Sequence, residues 1–310
     1  MKILFVGTAE FACPSLEALL GSSHELLGAV TQPDRPRGRG QKTLSPPVKT
    51  LAAKAGLPVF QPEKIRDGFF VKTLESLAPD LMVVVAYGQI LSASVLAVPK
   101  NGTVNVHGSL LPKYRGAAPI ARAILEGESR TGVTTMLLDP GMDTGPILLM
   151  EETEISEEDT AGTLHDRLAR IGADLLLRTI EGLASRIVTP RAQDHAQATY
   201  APKIEKAEAR IDWNLPGRRI FNLVRAFDPH PGAFTTRSGR VLKLFRPILV
   251  GSGPGKEPGT VVETSPEGLT IAVTEGKITV RELQAEGRPR MPAANFLRGN
   301  PIPPGVRLGD

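Results

Sequence analysis

Asn105 and His107 stand two positions apart in the run Val104-Asn105-Val106-His107-Gly108-Ser109-Leu110-Leu111-Pro112. Alternation along a strand sends the amide and the imidazole to one face and Val104 and Val106 to the other, so two polar groups project together from a carboxyl end. Such donors can stabilise the oxyanion formed when a nucleophile attacks a carbonyl-like carbon, one donor being worth roughly 10²–10³ in rate. The other reading of the pair is an internal hydrogen-bond network that closes the strand end. Downstream, Leu138-Asp139-Pro140-Gly141-Met142-Asp143-Thr144-Gly145-Pro146 forms a glycine-bearing loop whose Asp143 can return toward the neighbouring strand end. An aspartate bound to a ring nitrogen of His107 would set its tautomer and stabilise the imidazolium. An Asx turn, with Asp139 and Asp143 bonded only to backbone, fits the loop equally well. The chain offers no obvious nucleophile of its own. Cys13 has no histidine near it in sequence and reads as a packing residue, so the attacking group is expected from a substrate.

These side chains need strand ends to project from. Runs rich in Val, Ile and Leu at 2–6, 26–31, 58–61, 80–87, 102–107, 132–138 and 146–150 alternate with helical patterns near 14–20, 47–55, 67–77, 117–126 and 160–184. That order predicts an α/β fold, a Rossmann-like, doubly wound, mostly parallel sheet with ligands outside the carboxyl ends of its strands. No GxGxxG follows the first strand, where the turn reads Gly7-Thr8-Ala9-Glu10-Phe11, and no GxxxxGK[ST] loop occurs. Dinucleotide binding and NTP hydrolysis lose their usual support. Residues 186–209, with Pro190 and Pro202 among polar neighbours, read as a linker. Beyond it, a helical stretch at 216–227 and five short β-prone runs between 233 and 283 predict a small C-terminal β-barrel, OB-like, over 210–310.

The length of 310 residues also favours two domains. With 41% hydrophobic and 23% charged residues and no apolar run of about 20, the chain reads as a globular protein without a membrane span. Lys2 to Gly7 already reads as a buried strand, with no room for an export signal before it. One cysteine and five histidines without HExxH spacing give no disulfide and no metal motif, so a cytoplasmic protein without a metal is expected; a monomer is a separate expectation. The net charge of +4 is uneven: residues 1–205 carry −2 and residues 206–310 carry +6. A basic C-terminal third suits a polyanionic partner, and also a solvated surface with none. The loop from Pro33 to Pro47 carries Arg35, Arg37, Arg39 and Lys42, with Gly38 and Gly40 between. Spaced cations on such a loop can follow an RNA backbone; a solvated mobile loop is the other reading.

Several of these segments together closely resemble the methionyl-tRNA formyltransferase family. They are Asn105 to Pro112 with Tyr114-Arg115-Gly116-Ala117-Ala118-Pro119-Ile120, Thr31-Gln32-Pro33-Asp34-Arg35-Pro36 with Gly38-Arg39-Gly40, Val84-Val85-Ala86-Tyr87-Gly88, Asp139 to Gly145, and Ala209-Arg210-Ile211-Asp212-Trp213. They run through most of the chain; the match is least distinct after about Arg281. The wider formyltetrahydrofolate-using superfamily shares the Asn, His and Asp, and this chain departs at none of the three. The resemblance implies a formyltransferase-type catalytic, folate-binding domain over 1–185 and a tRNA-binding domain over 210–310. It implies transfer of formyl from 10-formyltetrahydrofolate to the α-amino group of methionine on charged initiator tRNA. Asn105 and His107 would donate to the formyl oxygen while Asp143 orients His107 and helps accept the amine proton. Ser109, Leu110, Leu111 and Pro112 would line the folate site, with backbone of Ala86, Tyr87, Gly88 and Ile90 near the pterin; Leu110 and Leu111 also read as ordinary packing. Arg35, Arg37, Arg39 and Lys42, with Lys203 and Lys206 of the linker, would meet the tRNA. A related folate enzyme with a small acceptor or water, and a noncatalytic RNA-binding module, are the rival readings.

Overall fold

Ile3, Leu4, Phe5 and Val6 are wholly buried, as a strand covered on both faces requires. The computed structural model describes residues 1–37, 42–251 and 256–310, and of Pro36, Arg37, Lys42 and Thr43 only the backbone. To residue 184 the elements are β1 (Lys2–Gly7), α1 (Cys13–Leu20), β2 (Glu25–Val30), β3 (Arg35–Arg37), β4 (Lys42–Leu44), α2 (Pro47–Lys54), β5 (Val59–Phe60), α3 (Gly68–Leu77), β6 (Leu81–Val85), α4 (Ala93–Leu96), β7 (Thr103–His107), α5 (Pro119–Glu126), β8 (Arg130–Leu137), β9 (Ile147–Glu154) and α6 (Ala161–Ala184). The main sheet has the order β5-β2-β1-β6-β7-β8-β9 among the described residues. β5, β2, β1, β6 and β7 run parallel, and β8 is antiparallel to β7. This is the doubly wound, mostly parallel sheet expected from the sequence. Its strand order turns back between β1 and β6, where such sheets open a crevice at the carboxyl ends.

Packing follows the alternation of each strand. Leu4, Val6, Val30, Met82 and Val84 form one cluster with Phe70 and Leu74 of α3, each large side chain contributing about 1.5–3 kcal/mol on burial. On β7, Val106 faces α6: a Cβ on Gly172 would lie 2.8 Å from Val106 Cγ1. That close approach needs glycine, and it leaves Asn105 and His107 on the opposite face, where alternation puts them. Three pieces escaped the sequence reading of this part, the short helix α4 and both strands of a hairpin. Arg35–Arg37 and Lys42–Leu44 pair as a short antiparallel hairpin where an unstructured connection was expected.

Tertiary packing divides the chain into two compact units, one of Met1–Gly116, Thr131–Thr153 and His165–Ala201, the other of Ala117–Arg130, Glu154–Leu164 and Pro202–Asp310. The second therefore includes α5. Arg122 of α5 donates to Glu208 at 2.6 and 3.0 Å and to the carbonyls of Pro202 and Lys203. The rest of this unit is α7 (Gly217–Ala226), β10 (Phe234–Arg237), β11 (Arg240–Val250), β12 (Val261–Ser265), β13 (Gly268–Val273), β14 (Gly276–Ala285), β15 (Met291–Pro292) and α8 (Ala293–Gly299). An antiparallel sheet of order β10-β11-β14-β13-β12 surrounds a core that includes Trp213, Ile220, Leu244, Ile271, Val280 and Phe296. The final residues join its two edges. Leu308 N donates to Gly259 O beside β12, and Gly309 N donates to Thr236 O of β10, each at 2.9 Å. Trp213 lies beneath this seam, its Nε1 donating to Thr235 Oγ1 at 3.1 Å. A Cβ on Gly259 (φ +85°) or Gly309 (φ +101°) would stand 3.0 or 3.1 Å from the indole, so these glycines let the backbone close over the ring. The short β15 and the helix α8 had no counterpart in the sequence reading.

Candidate active site

β7 ends in His107, and the turn after it is held by a hydroxyl from β8. Thr134 Oγ1 donates to Ser109 O at 2.7 Å and accepts from Leu111 N at 3.1 Å. Ser109, buried, donates its hydroxyl to Lys113 O at 2.6 Å. The turn then brings Tyr114 O to 2.9 Å from His107 Nε2. A carbonyl only accepts, so Nε2 carries a hydrogen and Nδ1 is the ring nitrogen left for chemistry. Nδ1 lies 3.7 Å from Asp143 Oδ2. That is beyond hydrogen-bond length. Asp143 is thus a neighbour of His107 without the ring-nitrogen bond expected from the sequence, and the main-chain bond on the far nitrogen is what fixes the ring.

The two aspartates of the 138–146 loop part company. Asp139 Oδ1 accepts from Gly141 N at 3.0 Å and Thr144 Oγ1 at 2.6 Å, the local turn allowed for both residues. Asp143 instead adopts φ +52°, a left-handed conformation that costs an L-residue about 1–2 kcal/mol, and its carboxylate accepts from Gly116 N at 2.8 Å. Asn105 is 9% exposed, and among the described residues its side-chain amide has no hydrogen-bond partner. It does not close the strand end by an internal network. The site therefore offers a free amide donor, an imidazole with one free nitrogen, and a carboxylate beside that nitrogen.

The other expected positions fall out unevenly. Leu111 packs against Met136 and Ile147, so its side chain is core; Leu110 and Pro112 are partly exposed. The 86–90 turn presents backbone, with Ala86 at φ +45° and Gly88 at φ +84°. Tyr87 O accepts from Thr8 Oγ1 and Gln32 Nε2 at 2.9 and 3.3 Å. The Tyr87 ring is 2% exposed within the apolar cluster of the sheet. Burial pushes its phenol up to about 12, and its hydroxyl has no partner among the described residues. Ile90 is 80% exposed. Arg35 reaches Gln32 Oε1 at 3.5 Å; Gly38, Arg39 and Gly40 lie outside the described residues, and so do the side chains of Arg37 and Lys42. Lys203 and Lys206 are exposed on the second unit. Sequence reasoning missed the main-chain partners Tyr114 O and Gly116 N, and it missed the buried pair Arg115 and Gln193. No local signal reveals that pair, whose members are 78 residues apart.

Residues 1–180 match the family model described as formyl transferase, and residues 203–301 match that of the formyl transferase C-terminal domain. The chain belongs to the formyl transferase family. Similarity to curated relatives extends over its full length. The methionyl-tRNA formyltransferase of Geotalea daltonii is 48% identical over 309 residues, covering 100% of this chain and 98% of that protein. That of Pelotomaculum thermopropionicum is 47% identical over 311 residues, covering 100% and 99%. Among solved structures, WlaRD, a sugar 3N-formyl transferase solved in the presence of dTDP and 5-N-formyl-THF, aligns with TM-score 0.66 at 20% identity, covering 93% of this chain and 99% of its own. HypX from Aquifex aeolicus, solved in complex with tetrahydrofolic acid, aligns with TM-score 0.68 at 18% identity over 96% of this chain; the chain spans 47% of HypX. These structural likenesses show the fold. No helix among the described residues is long and apolar enough to cross a membrane.

Proposed function

We propose that this chain transfers the formyl group of 10-formyltetrahydrofolate to the α-amino group of methionyl initiator tRNA, for the initiation of translation, as a monomer in the cytoplasm. The observation that carries the chemistry is the unpartnered Asn105 amide beside a His107 whose Nδ1 faces Asp143 at 3.7 Å. The relatives' names supply the acceptor. Asn105 donates to the formyl oxygen as the amine nitrogen bonds to the formyl carbon and the carbonyl electrons move to oxygen. His107 Nδ1 and Asp143 take the proton that the nitrogen sheds, and that proton is available to the folate nitrogen when its bond to the formyl carbon breaks. No strong base is required, because an α-amino group titrates near ~7.7–8.0 and is substantially neutral at physiological pH.

The turns at 86–90 and 108–112 would receive the folate. The first unit would carry the chemistry and the basic C-terminal residues 206–310 would add RNA affinity, with Arg35, Arg37, Arg39 and Lys42 meeting the acceptor end and Lys203 and Lys206 extending the contact. Incubation with 10-formyltetrahydrofolate and either charged initiator tRNA or a small amine separates the readings. Formyl-methionyl-tRNA should form far faster than any formylated small amine; rapid turnover of amino sugars or water with inert tRNA would instead indicate a small-acceptor enzyme, and binding of tRNA without turnover a noncatalytic module.

A further inference from the structure

Gln193 engages its whole amide. Nε2 donates to the main-chain carbonyls of Asp143 at 2.8 Å and Gly145 at 2.7 Å, while Oε1 accepts from Arg115 Nε at 3.1 Å and Nη2 at 2.7 Å. Both side chains are buried. Arg115 Nη2 also stands 3.2 Å from His195 Nδ1, which must accept from it. Among the described residues no carboxylate pairs with this guanidinium. A buried cation that faces a neutral amide polarises it, and so strengthens the donors at the amide's other end.

The residues flanking Arg115 supply both main-chain contacts to the site. Tyr114 O holds His107 Nε2, and Gly116 N holds Asp143 Oδ2. Gln193 closes the arrangement from the other side, because the residue whose carbonyl it grips is Asp143 itself, at φ +52°. We infer that Gln193 is a positioning residue for formyl transfer, locked by Arg115 and acting through the backbone of Asp143 to keep that carboxylate beside His107. The inference rests on the formyl-transfer reading above. It explains the residue type: glutamate could pair with Arg115 but has no N–H for the two carbonyls, and alanine would release both.

The test is a kinetic cycle on the full chain with 10-formyltetrahydrofolate and charged initiator tRNA, using wild type, Gln193→Glu, Asp143→Asn and the double variant, with thermal melts to verify folding. Gln193→Glu should lower kcat by about 10- to 10²-fold through misplacement of the carboxylate, with KM for the folate within about 3-fold of wild type. In the Asp143→Asn background the same change should lower kcat by less than about 3-fold, because the group being positioned is gone. A role in general structure predicts equal losses in both backgrounds, and that result overturns the inference. Gln193→Asn keeps the amide but falls one methylene short, and should show the same dependence on background; it serves if the glutamate variant does not fold. Normal wild-type turnover with unchanged variants overturns the positioning role alone. Absence of wild-type turnover with charged tRNA overturns the functional reading and this inference with it.

Discussion

Asp139 and Asp143 belong to one loop, but their different hydrogen bonds give them different expected sensitivities. Asp139 accepts from its own loop through one oxygen, and an asparagine oxygen can accept the same bonds. Asp139→Asn should therefore keep kcat within about 3-fold of wild type, whereas Asp143→Asn loses the charge beside His107 Nδ1 and should lower kcat by about 10²-fold with folate affinity little changed. Steady-state kinetics on both variants checks the contrast. Tyr87 gives a second prediction. Its buried hydroxyl lacks a partner among the described residues, and such a group costs about 1–3 kcal/mol. Tyr87→Phe should leave turnover unchanged and raise the melting temperature or leave it where it is; a drop in folate affinity would show that the hydroxyl serves the ligand. Asn105 and His107 were legible because alternation along one strand is a local rule. The Arg115–Gln193 clamp was not, since it joins residues 78 positions apart that only the tertiary fold brings together.

At the scale of elements, the main-sheet strands and every helix to residue 184 except the four-residue α4 were readable from apolar periodicity, and the structure moves their ends by only a few residues. The hairpin of β3 and β4 was not, because polar residues and prolines give its strands no apolar pattern. β15 and α8 were hidden by their brevity. Closure of the barrel was also hidden, because the segment that closes it, 305–310, is short and rich in glycine and shows no strand's alternation. That seam makes a prediction. Deleting residues 305–310 exposes the β10 and β12 edges and removes the Gly309 cover from Trp213. The second unit should then lose stability and tRNA affinity while folate binding survives, as thermal melts and separate titrations with tRNA and folate would show. In the site itself, Gly116 has φ +118°, and a Cβ there would stand 2.8 Å from Ala201 O. Gly116→Ala should displace the amide that holds Asp143 and lower kcat more than it alters folate binding.

The whole molecule pairs an α/β unit that holds Asn105, His107 and Asp143 with a unit that includes α5 as well as the basic C-terminal residues. A reading along the chain divides it at linkers, so it has no means of assigning 117–130 to a partner that begins at 202. Arg210, Arg240, Arg281 and Arg288 are exposed on that unit and form no side-chain ion pair among the described residues. Changing all four to Gln should weaken tRNA binding and flatten its dependence on salt, because fewer counterions are released. An unchanged slope would remove this surface from the RNA contact. Single-turnover formylation of charged initiator tRNA, comparing wild type with Asn105→Ala and His107→Ala at saturating 10-formyltetrahydrofolate, probes the chemical step itself. Wild type should give formyl-methionyl-tRNA, and each variant, folded and still binding both substrates, should be slower by about 10²-fold or more; full-rate formylation by either variant would contradict the assignment of the reaction to this strand end.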